Sequence, residues 1–480
     1  MKRAEAEAIL DGDRETAIAL LVRIGELVEA NRRLEARVAE LEHRLNRSSR
    51  NSSLPPSADP PSVPGRPSRP RSGRKPGGQS GHPGTTRLLV GPDRVDETRD
   101  YWPLRCRGCD RVFELVDWVA LGTPKVHQVC ELPPLAVTIA EHRLHTVSCA
   151  CGKTTRASLP AGVTASAFGP RLQAAVATLA TRQRLSRRQT AETMQELFGC
   201  PVSLGAVDAI IGRVADAVAA PYDELRAQLP KEPVVYADET SWALSGKPHW
   251  AWGGFTRTFA VIALQERRNQ AAAKALLGEP DGIVCTDRFG GYNHLADTQR
   301  QVCWAHLARD FEAVSERRLP ADQRLGRQLA KIAKQVFAAY HDYRDHEDPG
   351  RLTIALEPVQ ARLRKLLEPV ARGRRAKTAG FAADLLNRWP SLWLFADHPD
   401  LVEPTNNAAE RGLRPAVIKR KLCFGSHSER GLRATERLLS IDGSCRLQHR
   451  SLYTYLAETM TAAAAGKPAP SLISQTPTAA

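Results

Sequence analysis

The spacing of apolar residues between positions 233 and 287 constrains the fold of this chain more than any other feature. Three successive runs, "PVVYAD", "HWAWGGFT" and "TFAVIALQ", have the length and composition of β-strands. A helix-like segment, "NQAAAKALLG", follows them and precedes a fourth run, "GIVCTD", which is typical of a buried strand. Strands and a helix in this order predict an α/β core.

Two acids end predicted strands of this core. Asp238 closes "PVVYAD", and Asp287 closes "GIVCTD". If the two strands are neighbours, both carboxylates point at one place, and like charges that close are tolerated when a divalent cation holds them. Glu239 alternates to the opposite face of its strand, so we set it aside as a ligand.

A third acid, Glu410, lies in "PTNNAAERGLRPAVIKRK" among five cations. Those cations are Arg411, Arg414, Lys419, Arg420 and Lys421. The segment is predicted to be a helix with Thr405 or Asn406 as its N-cap. If this helix packs beside the sheet, Glu410 adds a third oxygen ligand. An i,i+4 ion pair with Arg414 is the simpler alternative for Glu410 alone.

Three carboxylates around Mg²⁺ suit phosphodiester chemistry. The overall charge agrees, because 68 Lys and Arg against 53 Asp and Glu give a net charge of +15 and favour a nucleic acid partner. The sequence contains no Walker lysine motif, dinucleotide-binding glycine fingerprint or G-x-S-x-G elbow. Its apolar runs are too short for a membrane span, and its N-terminus lacks a secretory signal core, so we expect a cytoplasmic protein without membrane contact.

The chain is long enough for several domains, and residues 1–46 are predicted to form a coiled-coil helix. Leucines recur at intervals of seven, and a second series occupies the companion heptad positions. The two series are Leu20, Leu27, Leu34 and Leu41, and Ile24, Asn31, Val38 and Leu45. This pattern predicts a parallel homodimer, or a higher assembly. An amphipathic helix docked on its own domain remains open.

Residues 47–98 form a Pro-, Gly- and Ser-rich linker that cannot bury enough apolar surface to order itself. Its unopposed cations would lie along DNA phosphates or enter a minor groove, unless the linker is only a solvated tether. These cations are Arg66, Arg69, Arg71, Arg74 and Lys75.

Residues 99–160 combine short β-like pieces with two cysteine pairs, which predicts a zinc-ribbon-like segment. The candidate Zn²⁺ ligands are Cys106, Cys109, Cys149 and Cys151. The second pair is one residue closer than the usual C-x-x-C spacing, and His145 or Cys130 would replace a ligand. The alternative is four reduced thiols.

Residues 165–228 are helical, and "LSRRQTAETMQELFGCPVSLGAVDAIIGRVADAV" indicates two helices around a turn. Gly199 would end the first helix and Ser203 would cap the second. A helix-turn-helix DNA-binding region, with Arg187 and Arg188 as DNA contacts, competes with a plain packed helical hairpin.

Residues of about 304–400 are mostly helical, beginning with "CWAHLARDF". There Trp304 would stack on an unpaired base, and His306 or Arg309 would contact phosphate. A core tryptophan with a solvated arginine is the alternative. We expect the tail, 461–480, to be disordered.

Six motifs in register resemble the large transposase of the insertion-sequence 66 family of bacterial mobile elements. They are "NRSSRNSSLPPS", "GRKPGGQSGHPG", "ADETSW", "CTDRFGGY", "CWAHLARDF" and "NNAAERGLRP". The resemblance implies a leucine-zipper-like helix, a zinc-binding segment, a helix-turn-helix region and an RNase H-like catalytic domain over 229–460 with the helical insertion. It also implies Asp238, Asp287 and Glu410 as the metal-binding catalytic triad.

The sequence is therefore interpreted as a multidomain α/β transposase that cleaves DNA at element ends and joins the 3′-OH to target DNA with Mg²⁺ or Mn²⁺. Accessory proteins of the same element would be partners, and the DNA-bound protein would be nucleoid-associated. In this hypothesis Arg411, Arg414, Lys419 and Arg420 grip phosphates. The alternatives are an RNase H-like nuclease without strand transfer and a non-catalytic DNA-binding regulator.

Overall fold

The computed structural model describes residues 14–45, 87–119, 121–133 and 135–473. The chain divides into two compact units. The first comprises Met1–Pro64, Ile139–Glu196 and Cys200–Ala480, and the second comprises Gly65–Thr138 and Leu197–Gly199. The boundary at 138 falls inside the predicted segment 99–160, so Cys106 and Cys109 belong to the second unit, whereas Cys149 and Cys151 belong to the first.

Helix α1 spans Arg14–Leu45 and, between Ile18 and Leu41, leaves its large apolar side chains exposed, including Leu27 and Leu34. A hairpin follows much later in the first unit, formed by β1 (Thr146–Ser148) and β2 (Thr154–Arg156). In the second unit, the described residues contain two short 3₁₀ turns, Pro92–Arg94 and Leu115–Asp117, and an antiparallel bridge between Arg105 and Val112.

Four helices lie in the chain between the β1–β2 hairpin and the main sheet: α2 (Pro170–Thr181), α3 (Arg187–Phe198), α4 (Leu204–Ala217) and α5 (Ala219–Gln228). Gly199 has a left-handed φ of 58°, which ends α3, and the Ser203 side chain accepts a hydrogen bond from the Ala206 amide at the start of α4. Both local predictions are therefore confirmed. Helix α4 packs on α2 with buried residues that are all apolar, and its Arg213 Nε donates to Gln173 Oε1 of α2 at 3.0 Å.

The five-stranded sheet contains β3 (Val234–Leu244), β4 (Lys247–Phe255), β5 (Ala260–Gln265), β6 (Ile283–Thr286) and β7 (Arg300–Val302). Its order is β5-β4-β3-β6-β7. The pairs β3–β4 and β4–β5 are antiparallel, whereas β3–β6 and β6–β7 are parallel. Helix α6 (Gln270–Leu277) connects β5 to β6. The four runs predicted as strands are all strands of this sheet.

Strand β3 is longer than predicted. It continues to Leu244 because β4 pairs with it as an antiparallel hairpin partner through Lys247. Asp238 is therefore not at the end of the strand. It follows the end of the parallel pairing between β3 and β6, which stops at Tyr236 and Cys285.

The edge strand β5 is covered by side chains of helix α13 (Glu429–Leu447). Amides of Leu264, Ile262 and Ala260 donate in turn to Glu436 Oε2 at 3.0 Å, Ser440 Oγ at 2.8 Å and Ser444 Oγ at 3.1 Å. Acceptors at intervals of four follow one face of the helix and match alternate strand residues. This arrangement satisfies strand amides that would otherwise face a second chain.

The stretch expected to be helical contains α7 (Trp304–Ser315), α8 (Pro320–His346), α9 (Pro349–Ala371), α10 (Ala376–Asn387) and α11 (Leu394–Asp397). Its two ends meet, because the Trp304 amide donates to the Pro404 carbonyl at 2.8 Å. The insertion therefore leaves the sheet and returns to it at one place.

Two further helices are α12 (Asn407–Cys423) and α14 (Leu452–Ala464). The prediction of a disordered tail from 461 was wrong for residues 461–473. Helix α14 continues to Ala464, and Leu472 is buried. The Leu472 carbonyl accepts from Gln448 at 2.6 Å, and the Pro470 carbonyl accepts from Tyr455 at 2.8 Å. Among the described residues, helices long and apolar enough to cross a membrane are absent.

Candidate active site

The sheet places Asp238 and Asp287 side by side, at the carboxyl end of the parallel pairing between β3 and β6. Each lies two residues beyond Tyr236 or Cys285, which are partners in the parallel pair β3–β6. Because parallel strands advance together, equivalent positions after the last pair emerge side by side. The pKa of Asp238 is raised well above its usual range, first by burial and then by the negative charges of Glu239, Asp287 and, least of these, Glu410.

Helix α12 brings Glu410 to this end of the sheet by packing closely on the sheet. Its buried face consists of Ala409, Leu413 and Ala416. A Cβ at Gly412 would stand 2.3 Å from the Phe255 ring of β4, so a side chain there would push the helix outward. Glycine at this position allows the close approach.

Asn406 fixes the start of α12 beside Asp238. It is fully buried, and its Nδ2 donates to the Ala237 carbonyl at 2.7 Å. Its amide donates to Cys303 Sγ at 3.1 Å. Asn406 was one of the two predicted N-cap residues, and it occupies that position. Its side chain makes no capping hydrogen bond, because it reaches across to β3 instead.

Glu410 contacts the insertion rather than its own helix. Arg309 Nη2 lies 3.6 Å and His306 Nε2 lies 3.8 Å from the same oxygen, Glu410 Oε1. The i,i+4 pair with Arg414 is not formed. Burial and the charge of Arg309 lower the pKa of His306, so Arg309 is the principal cation at Glu410.

The carboxylates suit a hard divalent cation in chemistry and charge, since oxygen ligands that repel one another are stabilised by a cation. Within the ranges that the structure describes, however, no group of three or more His, Cys, Asp or Glu side chains converges closely enough to enclose a metal ion. Asp287 and Glu410 both lie within electrostatic range of Asp238, but the three carboxylates do not converge on a single point.

Arg300 braces the loop that carries Asp287, and sequence reasoning missed it. Its side chain is fully buried; Nη2 donates to the Asp287 carbonyl at 2.7 Å, and Nε donates to Thr286 Oγ1 at 2.9 Å. Burial lowers the pKa of Arg300 to about 10. A cation within the apolar run "RQVCW" is the signal that would have identified it.

Arg288 joins the same loop to the helical insertion. Its guanidinium contacts Asp310 of α7 at 3.0 Å and Asp384 of α10 at 2.6 Å. Asp287 is therefore held from the sheet side and from the insertion side. The insertion is a structural part of this end of the sheet.

Glu239, which the strand alternation led us to set aside, is also part of this framework. Its side chain is only 1% exposed and contacts Arg268 Nη2 at 2.6 Å. Tyr292, in the loop after β6, donates to Glu239 Oε2 at 2.6 Å. The bond ties β3 to the Asp287 loop, so the dismissal of Glu239 overlooked a residue that links the two strands that carry or precede the candidate acids.

The prediction that Trp304 stacks on a DNA base was wrong. Its ring is fully buried, packs 5.0 Å from Trp393, and donates from Nε1 to the Leu392 carbonyl at 2.7 Å. The alternative of a core tryptophan is what the structure has. His306 and Arg309, the two residues of the same motif that were predicted to contact phosphate, both lie beside Glu410.

The cations of α12 divide by environment. Arg411 and Arg414 are exposed, whereas Arg420 Nη1 donates to the Ser241 carbonyl of β3 at 2.7 Å. Lys419 is half-buried, and burial with the nearby charges of Arg187 and Arg184 lowers its pKa to about 8. DNA contact by these residues stays a prediction.

The predicted helix-turn-helix shows few cations on its second helix. Arg187 of α3 is paired with Asp208 of α4 at 2.9 Å, and Arg188 is exposed. The exposed face of α4 carries Asp208 and Asp216. DNA reading by α4 stays a prediction. The linker cations from Arg66 to Lys75 lie outside the described residues.

Each cysteine pair forms a tight turn within its own unit. Backbone amides of Gly108 and Cys109 lower the pKa of the Cys106 thiol, and the Cys151 amide lowers that of Cys149. Amides directed at sulfur favour thiolates, the form that binds metals. Zinc binding by the four cysteines stays a prediction.

Comparison with known proteins gives the family. The model of the Transposase IS66 family matches residues 165–434, which is more than half of the chain and contains the sheet, the insertion and α12. The chain belongs to the IS66 transposase family. A second model, for a family of unknown function, matches residues 4–88.

The chain is also similar to a curated protein, "Uncharacterized protein y4qI" of Sinorhizobium fredii. The two are 24% identical over an alignment of 268 residues, and the match covers 49% of this chain and 48% of the relative. The chain thus spans about half the length of the curated relative it matches. Its printed name assigns no activity, so the functional argument depends on the family and on the geometry of the site.

Proposed function

We propose that this protein is a DNA transposase that binds element ends, cleaves phosphodiester bonds and joins 3′-OH ends to target DNA. The observation that carries the proposal is that Asp238 and Asp287 follow the parallel pair β3–β6 at equivalent positions, with Glu410 of α12 near enough to raise the pKa of Asp238. The sheet supports an RNase H-like core, since three antiparallel strands are continued by two parallel ones at the β3 side. Membership of the transposase family supports the reaction class.

In this mechanism Asp238 and Asp287 would hold Mg²⁺ or Mn²⁺ together, and Glu410 would complete the ligand set. The bound metal supplies activation of the attacking oxygen and stabilisation of the leaving oxygen. Arg300 and Tyr292 keep the Asp287 loop in register with β3. Arg411 and Arg414, exposed on the helix of Glu410, would bind the phosphates of the substrate strand.

Strand transfer with the native element ends tests the proposal. Labelled end DNA and a plasmid target are incubated with Mg²⁺ or Mn²⁺ and wild type, Asp238→Asn or Glu410→Gln. We expect both variants to bind the ends but to lose cleavage and joining. The matched control is Asp345→Asn, an exposed acid of α8 without an ion pair in the described structure, which should react like wild type.

The other candidate functions predict different products. Cleavage without joined product would identify a nuclease. Binding that is indifferent to Asp238→Asn, with no cleavage by wild type, would identify a regulator. Joined product from wild type and from Asp238→Asn alike would refute the assignment of this carboxylate to the reaction.

We further propose that α1 pairs two copies of the chain. Its seam side chains Leu27 and Leu34 are 62% and 63% exposed, which leaves the apolar heptad stripe uncovered. Leu27→Asp should convert a dimer to monomers in light scattering at micromolar concentration. Val22→Asp, on the outer face of the same helix, should leave the mass unchanged, and equal masses for wild type and Leu27→Asp would refute the pairing.

A further inference from the structure

The two ends of the helical insertion meet beside Glu410. Cys303, directly before α7, accepts a hydrogen bond at Sγ from the Asn406 amide, and the Trp304 amide donates to the Pro404 carbonyl. The first turn of α7 and the start of α12 are therefore fixed to each other. Glu410, one turn into α12, has the next turn of α7 as its neighbour.

Two side chains of α7 reach a single oxygen of Glu410. His306 and Arg309 are three residues apart and so share one face of the helix. Both contacts, at 3.8 and 3.6 Å, are to Oε1. No described residue donates a hydrogen bond to Glu410 Oε2, and the shortest approach from each of the two α7 side chains is to Oε1. Oε1 is therefore the carboxylate oxygen that lies nearest the insertion.

The environment of Arg309 favours a fixed partner over a solvated one. Its side chain is 32% exposed, and that of His306 is 23% exposed. On the same helix, the next residue, Asp310, is paired with Arg288 of the Asp287 loop. One turn of α7 thus contacts both the Glu410 side and the Asp287 side of the candidate site. A partner that holds one oxygen of a ligating carboxylate orients the other.

We propose that Arg309, with His306 beside it, is a positioning residue that orients Glu410 through Oε1 so that Oε2 faces the metal. This inference rests on the proposed function, in which Glu410 is a metal ligand. It replaces the phosphate contact predicted for Arg309 from the sequence. It also gives the helical insertion a role in the reaction, because α7 supplies the residue that aligns the third carboxylate.

Mn²⁺ titration of the full-length protein, followed by calorimetry, tests this role without a reaction. We expect Arg309→Gln to weaken Mn²⁺ binding about tenfold or more, as loss of an orienting partner does. Arg309→Lys keeps the charge and should recover part of the affinity. Arg327→Gln, an exposed arginine of α8 without an ion pair in the described structure, is the matched control and should bind like wild type.

DNA binding at several salt concentrations separates positioning from phosphate contact. A positioning residue leaves the affinity and its salt dependence as in wild type, whereas loss of a phosphate contact weakens binding and reduces the logarithmic salt slope by about one. Such a reduced slope in Arg309→Gln would overturn the inference. Unchanged or tighter Mn²⁺ binding by Arg309→Gln would also overturn the inference. Loss of the positive charge of Arg309 would by itself favour Mn²⁺ binding, so only weaker binding supports a positioning role.

Failure of the proposed function gives a different result. If Asp238→Asn and Glu410→Gln both bind Mn²⁺ like wild type, the carboxylates are not a metal site at all. If those variants lose Mn²⁺ but Arg309→Gln does not, only the positioning role is refuted. Thermal melting of each variant checks that a change in Mn²⁺ binding does not arise from unfolding.

Discussion

Replacement of Asn406 tests the anchor that holds α12 beside Asp238. The Asn406 amide group makes one buried hydrogen bond, to the Ala237 carbonyl, and its Oδ1 is buried without a partner in the described structure. Asn406→Ala leaves a buried acceptor unpaired, which costs about 1–3 kcal/mol, while deletion of the unpaired Oδ1 offsets part of that cost. A net loss of about 1–2 kcal/mol corresponds to roughly 2–8 °C in melting temperature.

Asn406→Asp should be worse at neutral pH. The substitution replaces the donor by a carboxylate, which repels the Ala237 carbonyl and adds negative charge near Asp238 and Glu410. A buried charge without a partner costs about 3–5 kcal/mol of stability. Burial raises the pKa of such a carboxyl group. Its contribution to stability is therefore present at low pH, where the protonated group donates again, and is lost as the pH rises through the raised pKa.

Thermal melts of wild type and both variants between pH 5 and 8 measure these effects, with cleavage of end DNA followed in parallel. Asn387→Ala and Asn387→Asp, at the exposed end of α10, are the matched controls and should shift little. The anchor would be refuted if Asn406→Ala melted and cleaved like wild type. It would also be refuted if Asn406→Asp showed the pH dependence of Asn387→Asp.

Two further predictions concern stability. Ser440→Ala deprives the buried Ile262 amide of its acceptor and should lower the free energy of unfolding, measured by urea denaturation, by about 1–3 kcal/mol. Thr461→Ala should cost much less, because Thr461, like Ser440, bonds the carbonyl four residues earlier but accepts from no strand amide that the structure describes. Equal losses would contradict the edge-protecting role. Asp238→Asn should raise the melting temperature at pH 8 in EDTA, because the raised pKa means that the wild-type carboxylate destabilises the fold above that pKa. This gain should shrink as the pH falls toward the ordinary value of 3.8, and a gain independent of pH would contradict the assigned cause.

Local features of the site were predictable because each depends on few neighbouring residues. The four apolar runs are strands, Gly199 ends α3, and Ser203 caps α4. Both strand acids emerge at the same end of the sheet because β3 and β6 pair in parallel, as the argument required. The assignment of Trp304 failed because an exposed aromatic and a core aromatic have the same local sequence.

Distant contacts explain what the sequence did not indicate. Arg300 hydrogen-bonds the Asp287 carbonyl only because β7 lies beside β6, and Glu239 meets Tyr292 only because the loop after β6 folds back to β3. Strand alternation tells which face a side chain occupies but not what covers that face. Glu239 was set aside on alternation alone, although a buried carboxylate requires partners.

The sequence by itself determined the periodicities, the turn and cap residues, the excess of positive charge and the choice of the three candidate acids. These depend on backbone preferences and on the composition of short segments. The tertiary structure decided which groups meet: Glu410 with Arg309 instead of Arg414, Asn406 with Ala237, and α13 with the edge of β5. The reason is that such contacts join residues far apart in the chain, whose approach is set by the packing of the whole sheet and insertion and not by any local preference.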